Sequence, residues 1–413
     1  MVPDDSYGPT GAPDALLDEA IVLLAQLVAF PTVSSASNLD LIAWVRAYLA
    51  TFGVAAETFP NEDGTKASLW ATIGDASVPG VVLSGHTDVV PVSGQRWTRE
   101  PFTLGVEGER YYGRGTADMK GFIACVLAVL PRLKARGLPL PVHLALSYDE
   151  EVGCLGVRPM LAQVAQRRPL PVGVIIGEPT SGRPVTAHKG KVAVRCDVHG
   201  RAAHSAYAPQ GVNAVEKAAR LIVAIEGMAR EFADSGPRDA RFDPPYATAQ
   251  TGVVSGGNSV NVVPARSSFS FEARSTDESE LDRFVDAVRA AAERDVLPAM
   301  RAVAPESDVR FEVLTRYPGL RTSDAEAIVA LAMAAAGAHD CGVISFGSEG
   351  GLFAAAGIPA VICGPGSMDQ GHKPDEFVTR ADLRQCLAFL LELGERLARG
   401  QSATANLGSI SVG

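Results

Sequence analysis

Apolar residues recur at helical spacing over residues 15–30, where Leu16, Leu17, Ile21, Leu24 and Leu27 share a face and Pro31 ends the run. A second helix is predicted over 39–52, closed by Gly53. The pattern then shortens to β-rich runs at 68–73 and 80–84, followed by an apolar helix at 119–133. Residues 142–147 and 172–176 read as buried strands on either side of a helix at 156–167. Unbroken apolar strands alternating with helices predict an α/β fold whose sheet is mostly parallel and covered on both faces.

The order changes after Pro184. Strand (192–198), helix (213–232), strand (249–255), strand (267–274), helix (279–297) and strand (309–315) give the β-α-β-β-α-β order of a ferredoxin-like unit. The earlier character resumes with a helix at 324–336, a strand at 360–363 and a helix at 380–398. The expectation is a main domain with a mixed, mostly parallel sheet, made of residues 1–185 and 317–400. It is interrupted by an inserted α+β domain at 186–316 and trailed by a flexible tail at 401–413.

Composition narrows the class. The 413 residues are 47% hydrophobic and 20% charged, which is enough apolar material for a core and excludes wholesale disorder. A net charge of −10 without long basic runs argues against a nucleic-acid partner. Residues 1–13 lack the basic-then-apolar pattern of a signal peptide, and no apolar run approaches membrane-spanning length. Cys125, Cys154, Cys196, Cys341, Cys363 and Cys386 form no C-x-x-C pair, so reduced thiols in a cytoplasmic protein with no membrane partner are expected.

Three common catalytic signatures are absent. Gly113-Arg-Gly115 starts like a dinucleotide loop, but Asp118 occupies the third glycine position. There is no G-x-S-x-G elbow and no H-E-x-x-H helix. What the chain carries instead is acids and histidines at strand ends. His86-Thr-Asp88 follows one apolar strand, and side chains two apart in extended backbone face the same way, so Asp88 can reach the His86 imidazole. Glu150 and Glu151, preceded by Asp149, follow a second strand, and Glu178 ends a third. Successive acids repel unless a cation sits among them. Asp118 opens a helix and His372 lies in a Gly/Pro-rich loop. In α/β sheets ligands gather outside the carboxyl ends of the strands, and two histidines with several carboxylates suit zinc, manganese or cobalt better than calcium or magnesium.

The segments Ser84-Gly-His-Thr-Asp-Val-Val-Pro91, Gly113-Arg-Gly-Thr-Ala-Asp-Met-Lys-Gly121, Asp149-Glu-Glu-Val-Gly153, Gly177-Glu-Pro-Thr180 and Gly371-His-Lys-Pro-Asp-Glu376 resemble the M20 family of dinuclear zinc amidohydrolases, in order, along most of the chain. His188-Lys-Gly190, Gly211-Val-Asn-Ala214 and Gly364-Pro-Gly-Ser367 are most similar to its acetylornithine deacetylase branch. The resemblance implies a zinc-peptidase-like catalytic domain with an inserted lid and dimerisation domain. It implies two Zn²⁺, with Co²⁺ or Mn²⁺ as substitutes: His86 and Glu178 on one ion, Glu151 and His372 on the other, and Asp118 bridging. Asp88 would orient His86, and Glu150 would be the general acid/base.

Gly200-Arg-Ala-Ala-His-Ser-Ala206 resembles the family's lid segment, so His204 would reach the active site of a partner subunit in a homodimer. Asn261 and Arg274 match positions that bind the substrate carboxylate, together with the backbone of Gly364 and Gly366. Lys189 is a further candidate contact, and Glu349 a candidate partner for a basic side-chain amine. The implied reaction is amide hydrolysis of an N-acyl amino acid, N-acetylornithine first. The alternatives are a succinyl-diaminopimelate, aminoacylase or dipeptide substrate, or a metal-binding homologue without catalysis.

Overall fold

The computed structural model describes residues 13–400; the first twelve residues and the tail expected at 401–413 lie outside it. The chain forms two units. The first comprises residues 13–186, Arg321–Gly342 and residues 348–400; the second comprises Ala187–Leu320 and Val343–Gly347. The short return segment Val343–Gly347 thus belongs to the second unit, whereas the sequence pattern assigned it to the first.

In the first unit the sheet runs Ala56–Pro60, Ala67–Ile73, Val142–Ser147, Val81–His86, Gly173–Pro179, Ala360–Gly364. Val81–His86 pairs in parallel with both neighbours, and Ala360–Gly364 pairs in parallel with Gly173–Pro179. The first two strands join antiparallel at the edge. Every residue of the four parallel strands is buried, as their unbroken apolar runs require. Helices Asp14–Val28, Gly121–Arg136 and Arg380–Ala398 pack on one another over this core, Leu24, Leu27, Phe122, Leu127, Leu387 and Leu390 among the buried residues. The predicted α/β class with a mixed, mostly parallel sheet is what the chain adopts.

Parallel pairing puts His86, the 148–151 turn, Glu178 and Gly364 at one edge of the sheet. Two details differ from the sequence pattern. The third strand runs on to Pro179, so Glu178 lies within it. Asp118 is not a capping residue of the next helix, which begins only at Gly121; it sits in an irregular turn at φ −121°. A small sheet of Gly105–Glu107, Arg110–Tyr112 and Phe377–Thr379 joins the chain just before Asp118 to the chain just after His372. Among the described residues, no helix is long and apolar enough to cross a membrane.

The second unit has a four-stranded antiparallel sheet ordered Thr248–Gly256, Arg266–Ser275, Gly190–His199, Asp308–Tyr317. Its two central strands alternate strictly between buried residues and residues that are part-exposed or exposed. Val192, Val194, Cys196 and Phe271 meet Leu221, Ile225, Phe284 and Val288 of helices Ala214–Ser235 and Glu278–Ala291.

Burial has a consequence at His143 in Val142–Ser147. The residue is 7% exposed, its Nδ1 lies 3.0 Å from Thr72 Oγ1, and burial pulls its pKa down to about 4. A base whose folded value lies below its unfolded value of about 6.5 stabilises the fold fully above that pH and loses the contribution as pH falls toward 4. At pH 5 the loss is about 2 kcal/mol. The stability deficit of His143→Gln, read from urea midpoints, is therefore expected to shrink by about that amount between pH 7 and pH 5. Parallel pH profiles for the two proteins would refute it.

Candidate metal centre and active site

His86 is the last residue of its strand and is 1% exposed. Its Nδ1 lies 2.9 Å from the Asp88 main-chain oxygen, which can only accept, so Nδ1 carries a proton. Nε2 is left facing Asp118 Oδ1 at 2.9 Å and Glu178 Oε1 at 3.8 Å. Burial opposes charge on this ring, but the Asp118 carboxylate, which accepts from it, and the nearby Asp88 carboxylate outweigh burial and hold the imidazole well above its ordinary value.

Asp88 thus grips His86 more closely through its main chain than through its carboxylate, which stands 3.6 Å from Nδ1. The carboxylate has other duties. It accepts from Ser34 Oγ at 2.7 Å and from the backbone N–H groups of Glu150 and Glu151 at 3.1 and 3.3 Å. It therefore fixes the turn that bears both glutamates against the strand that bears His86. Of the three successive acids, Asp149 is taken out of the crowd by Lys66, whose Nζ donates to Asp149 Oδ1 at 2.6 Å and to Ser34 O at 2.5 Å.

Asp118 straddles the two histidines: Oδ1 lies 2.9 Å from His86 Nε2, and Oδ2 lies 3.1 Å from His372 Nε2. His372 Nε2 is also 3.0 Å from Glu151 Oε2. Single donor atoms of His86, Asp118 and Glu151 lie within 4.8 Å of one another, as do those of His86, Glu150 and Glu178. Burial pushes Glu150 and Glu178 well above the usual carboxylate range and Glu151 up to about 7. Burial also acts against ionised Asp118, yet hydrogen bonds from His372 and His86 keep it low. Hydrogen bonds to Asp118 and Glu151 raise His372 to about 10.

This donor set fits a pair of divalent ions. Two imidazole nitrogens and a ring of carboxylates converge on one pocket, one carboxylate spans both halves, and the acids crowd more negative charge than a buried site holds without a cation. His86 and Glu178 would hold one ion, Glu151 and His372 the other, with Asp118 between them.

Glu349 lies in the same unit, buried beside Ser147; burial raises its pKa to about 7, and the Ser147 hydroxyl acts in the lowering direction. Gly364 spends its N–H on Thr180 Oγ1 and its carbonyl on Gly182 N, and a Cβ there would meet Gly177 O at 2.1 Å. Its demand for glycine is therefore one of strand packing. The Gly366 carbonyl accepts from Ser181 N at 2.7 Å.

His204, Asn261, Arg274 and Lys189 are in the second unit. His204 is exposed in a short strand paired with Val262–Val263, and its ring accepts from Ala206 N. Asn261 O accepts from Ser205 N at 3.0 Å, which holds it beside that histidine. Arg274 Nε donates to Glu272 Oε1 at 3.0 Å. Lys189 is buried, and its ammonium donates to the carbonyls of Pro244 and Tyr246 at 2.8 and 2.7 Å.

Ser34, Lys66, Gln95, Arg114 and Glu376 escaped the sequence reading. Arg114 and Glu376 stand inside motifs already singled out, and a charged residue with no assigned duty there was the available signal. Lys66 sits in a polar turn and gave none.

The sequence pattern of Peptidase family M20/M25/M40 matches residues 82–396, and the chain belongs to that family of hydrolases. The solved structures it resembles include an M20 family metallo-carboxypeptidase from Sulfolobus solfataricus (TM-score 0.73, 19% identity, 92% of this chain and 100% of that one). Another is the Bacillus subtilis YXEP protein, described as a dinuclear metal binding peptidase from the M20 family (TM-score 0.66, 15% identity, 94% and 99%). Within the family the chain is similar to acetylornithine deacetylases. That of Myxococcus xanthus is 33% identical over 381 residues, covering 89% of this chain and 94% of its own. That of Proteus mirabilis is 31% identical over 391 residues, covering 93% and 98%.

Proposed function

We propose that this hydrolase cleaves the amide bond of N-acyl amino acids, N-acetylornithine foremost, at a centre for two divalent ions, zinc first among them. The observation that carries the reading is Asp118 reaching both His86 and His372, with Glu178 and Glu151 flanking the two histidines. Near full-length similarity to acetylornithine deacetylases supports the substrate. Ions bound there would supply Lewis acidity, polarising the acyl oxygen and acidifying water.

The chain's own residues do the rest. Glu150 accepts a proton from the attacking water and delivers it to the departing amine nitrogen. Its raised pKa suits a group that must be base and then acid, and the Cys154 thiol donates to its Oε1 at 3.4 Å. His204, supplied by a partner subunit, donates to the oxyanion, an interaction worth roughly 3 kcal/mol. Arg274 and Asn261 hold the substrate carboxylate. Glu349, an acid buried in the first unit, is the acceptor for a basic side-chain amine. We assign Lys189 to holding the 244–246 segment through its two carbonyl contacts.

Homodimerisation through the second unit is supported by its edge strand Thr248–Gly256. Val253 and Val254 are exposed there, with Val223 exposed on the helix packed beside that strand. A cytoplasmic location is consistent with six free thiols.

The test is amine release from acetylornithine, succinyl-diaminopimelate, acetylmethionine and a dipeptide, with and without chelator and added zinc or cobalt. Metal-dependent release, fastest from acetylornithine, is expected. Release only from another member of the panel overturns the substrate and keeps the chemistry; no release from a protein with both ions bound overturns both.

A further inference from the structure

Outside the donor set, one buried ion pair has no place in the chemistry. Arg114 and Glu376 are each 1% exposed, with Nη1 2.6 Å from Oε2. Buried pairs cost so much desolvation that they are poor sources of stability, and in some proteins they are kept because they fix geometry. Here both partners stand four residues from a candidate ligand: Arg114 before Asp118, Glu376 after His372. Each also docks on the other's loop.

Glu376 Oε1 accepts from the backbone N–H groups of Ala117 and Asp118 at 2.9 and 3.1 Å. Arg114 Nη2 donates to Gln95 Oε1 at 2.5 Å, and Gln95 Nε2 donates to the His372 carbonyl at 2.8 Å. An unbroken chain of hydrogen bonds therefore runs from the main chain of Asp118 to that of His372. His372 needs the restraint: its backbone is left-handed, φ 59°, a region a non-glycine residue holds only when its surroundings impose it.

We propose that Arg114 and Gln95, through Glu376, are positioning residues that set the separation of Asp118 and His372 and so the affinity of the ion that His372 holds. The inference rests on the two-ion reading above. It extends that reading to residues that touch neither substrate nor ion. Lysine cannot replace arginine in this duty, because one ammonium lacks the planar fork that serves Glu376 and Gln95 together.

The experiment is cobalt(II) titration of metal-free protein, with heats and the visible d–d spectrum recorded and the stoichiometry checked by elemental analysis. Wild type is expected to bind two ions. Arg114→Lys and Gln95→Leu should keep one ion within about threefold and weaken the other by roughly 10–100-fold, as loss of such supporting contacts does. In a His372→Ala background, which is left with a single ion, adding Arg114→Lys should change nothing more.

A general loss of structure predicts otherwise: both ions weakened together, or further weakening in the His372→Ala background. Either result, or no change in either ion, overturns the proposal. Gln95→Leu lies on a part-exposed side chain and carries the test if Arg114→Lys does not fold. Wild type that binds fewer than two ions overturns the underlying centre instead.

Discussion

Replacing Glu150 with alanine is expected to lower kcat by roughly a thousandfold, while KM moves little and both ions stay bound. Two adjacent acids have different surroundings. Glu150 and Glu151 are positioned alike, each through its backbone N–H on Asp88. Glu151 is committed to His372. The Glu150 carboxyl instead has the Cys154 thiol as its donor and feels the repulsion of Glu151, Asp118 and Glu349, which adds to burial in raising its pKa. A carboxyl so destabilised as an anion is a poor passive neighbour and a good proton acceptor near neutral pH.

Glu150→Gln keeps the shape and removes the basicity, so it should lose as much as Glu150→Ala. Counting bound metal decides between roles, because a donor atom of Glu150 also lies within 4.8 Å of those of His86 and Glu178. If Glu150→Gln sheds an ion, Glu150 is a ligand. If it loses less than tenfold in kcat with both ions present, the base lies elsewhere.

The sequence made the scaffold legible because its strands are unbroken apolar runs, Val81–His86 and Gly173–Pro179 above all, and burial on both faces leaves such runs few alternatives. The strand-end acids were legible for a related reason: a polar group directly after a buried strand emerges at the sheet's edge. That His86 and His372, 286 positions apart by number, share Asp118 came only through the family resemblance, since no local period encodes such a meeting.

Three features stayed hidden for physical reasons. The strands Gly105–Glu107, Arg110–Tyr112 and Phe377–Thr379 are too short to show a period. The grip of Asp88 on His86 through a main-chain oxygen is invisible to reasoning about side chains. Charged residues are read as solvated by default, so the burial of Arg114 against Glu376 ran against the expectation that governs surfaces.

Removing the metal is expected to abolish turnover and lower the unfolding temperature of the first unit by on the order of 10 °C, two ions at about 100 times their Kd supplying roughly 5 kcal/mol. The effect should depend on pH in a direction the site fixes. Without metal, Glu178 and Glu150 titrate well above their ordinary range, Glu151 near 7 and His372 near 10. At pH 7 the empty centre therefore carries protons, and ligation must expel them. Affinity then rises with pH, and the stabilisation by metal shrinks as pH falls below 7 because protons compete for the same groups. Asp118 is held low and adds nothing to this release.

Calorimetric titration at pH 7 in two buffers of different ionisation enthalpy should give different apparent heats, corresponding to net proton release; identical heats would contradict the argument. Asp118→Asn is the sharper cut. It keeps the side chain's shape but replaces one carboxylate oxygen with an amide nitrogen and removes the charge that both histidines face at 2.9 and 3.1 Å. The variant should bind no more than one ion and show no measurable turnover. Its metal-free form should unfold earlier than metal-free wild type, since hydrogen bonds from His86 and His372 hold Asp118 below its ordinary pKa, and neutralising one side of a buried charge pair leaves the other uncompensated. Two ions retained with wild-type affinity would remove Asp118 from the bridging role.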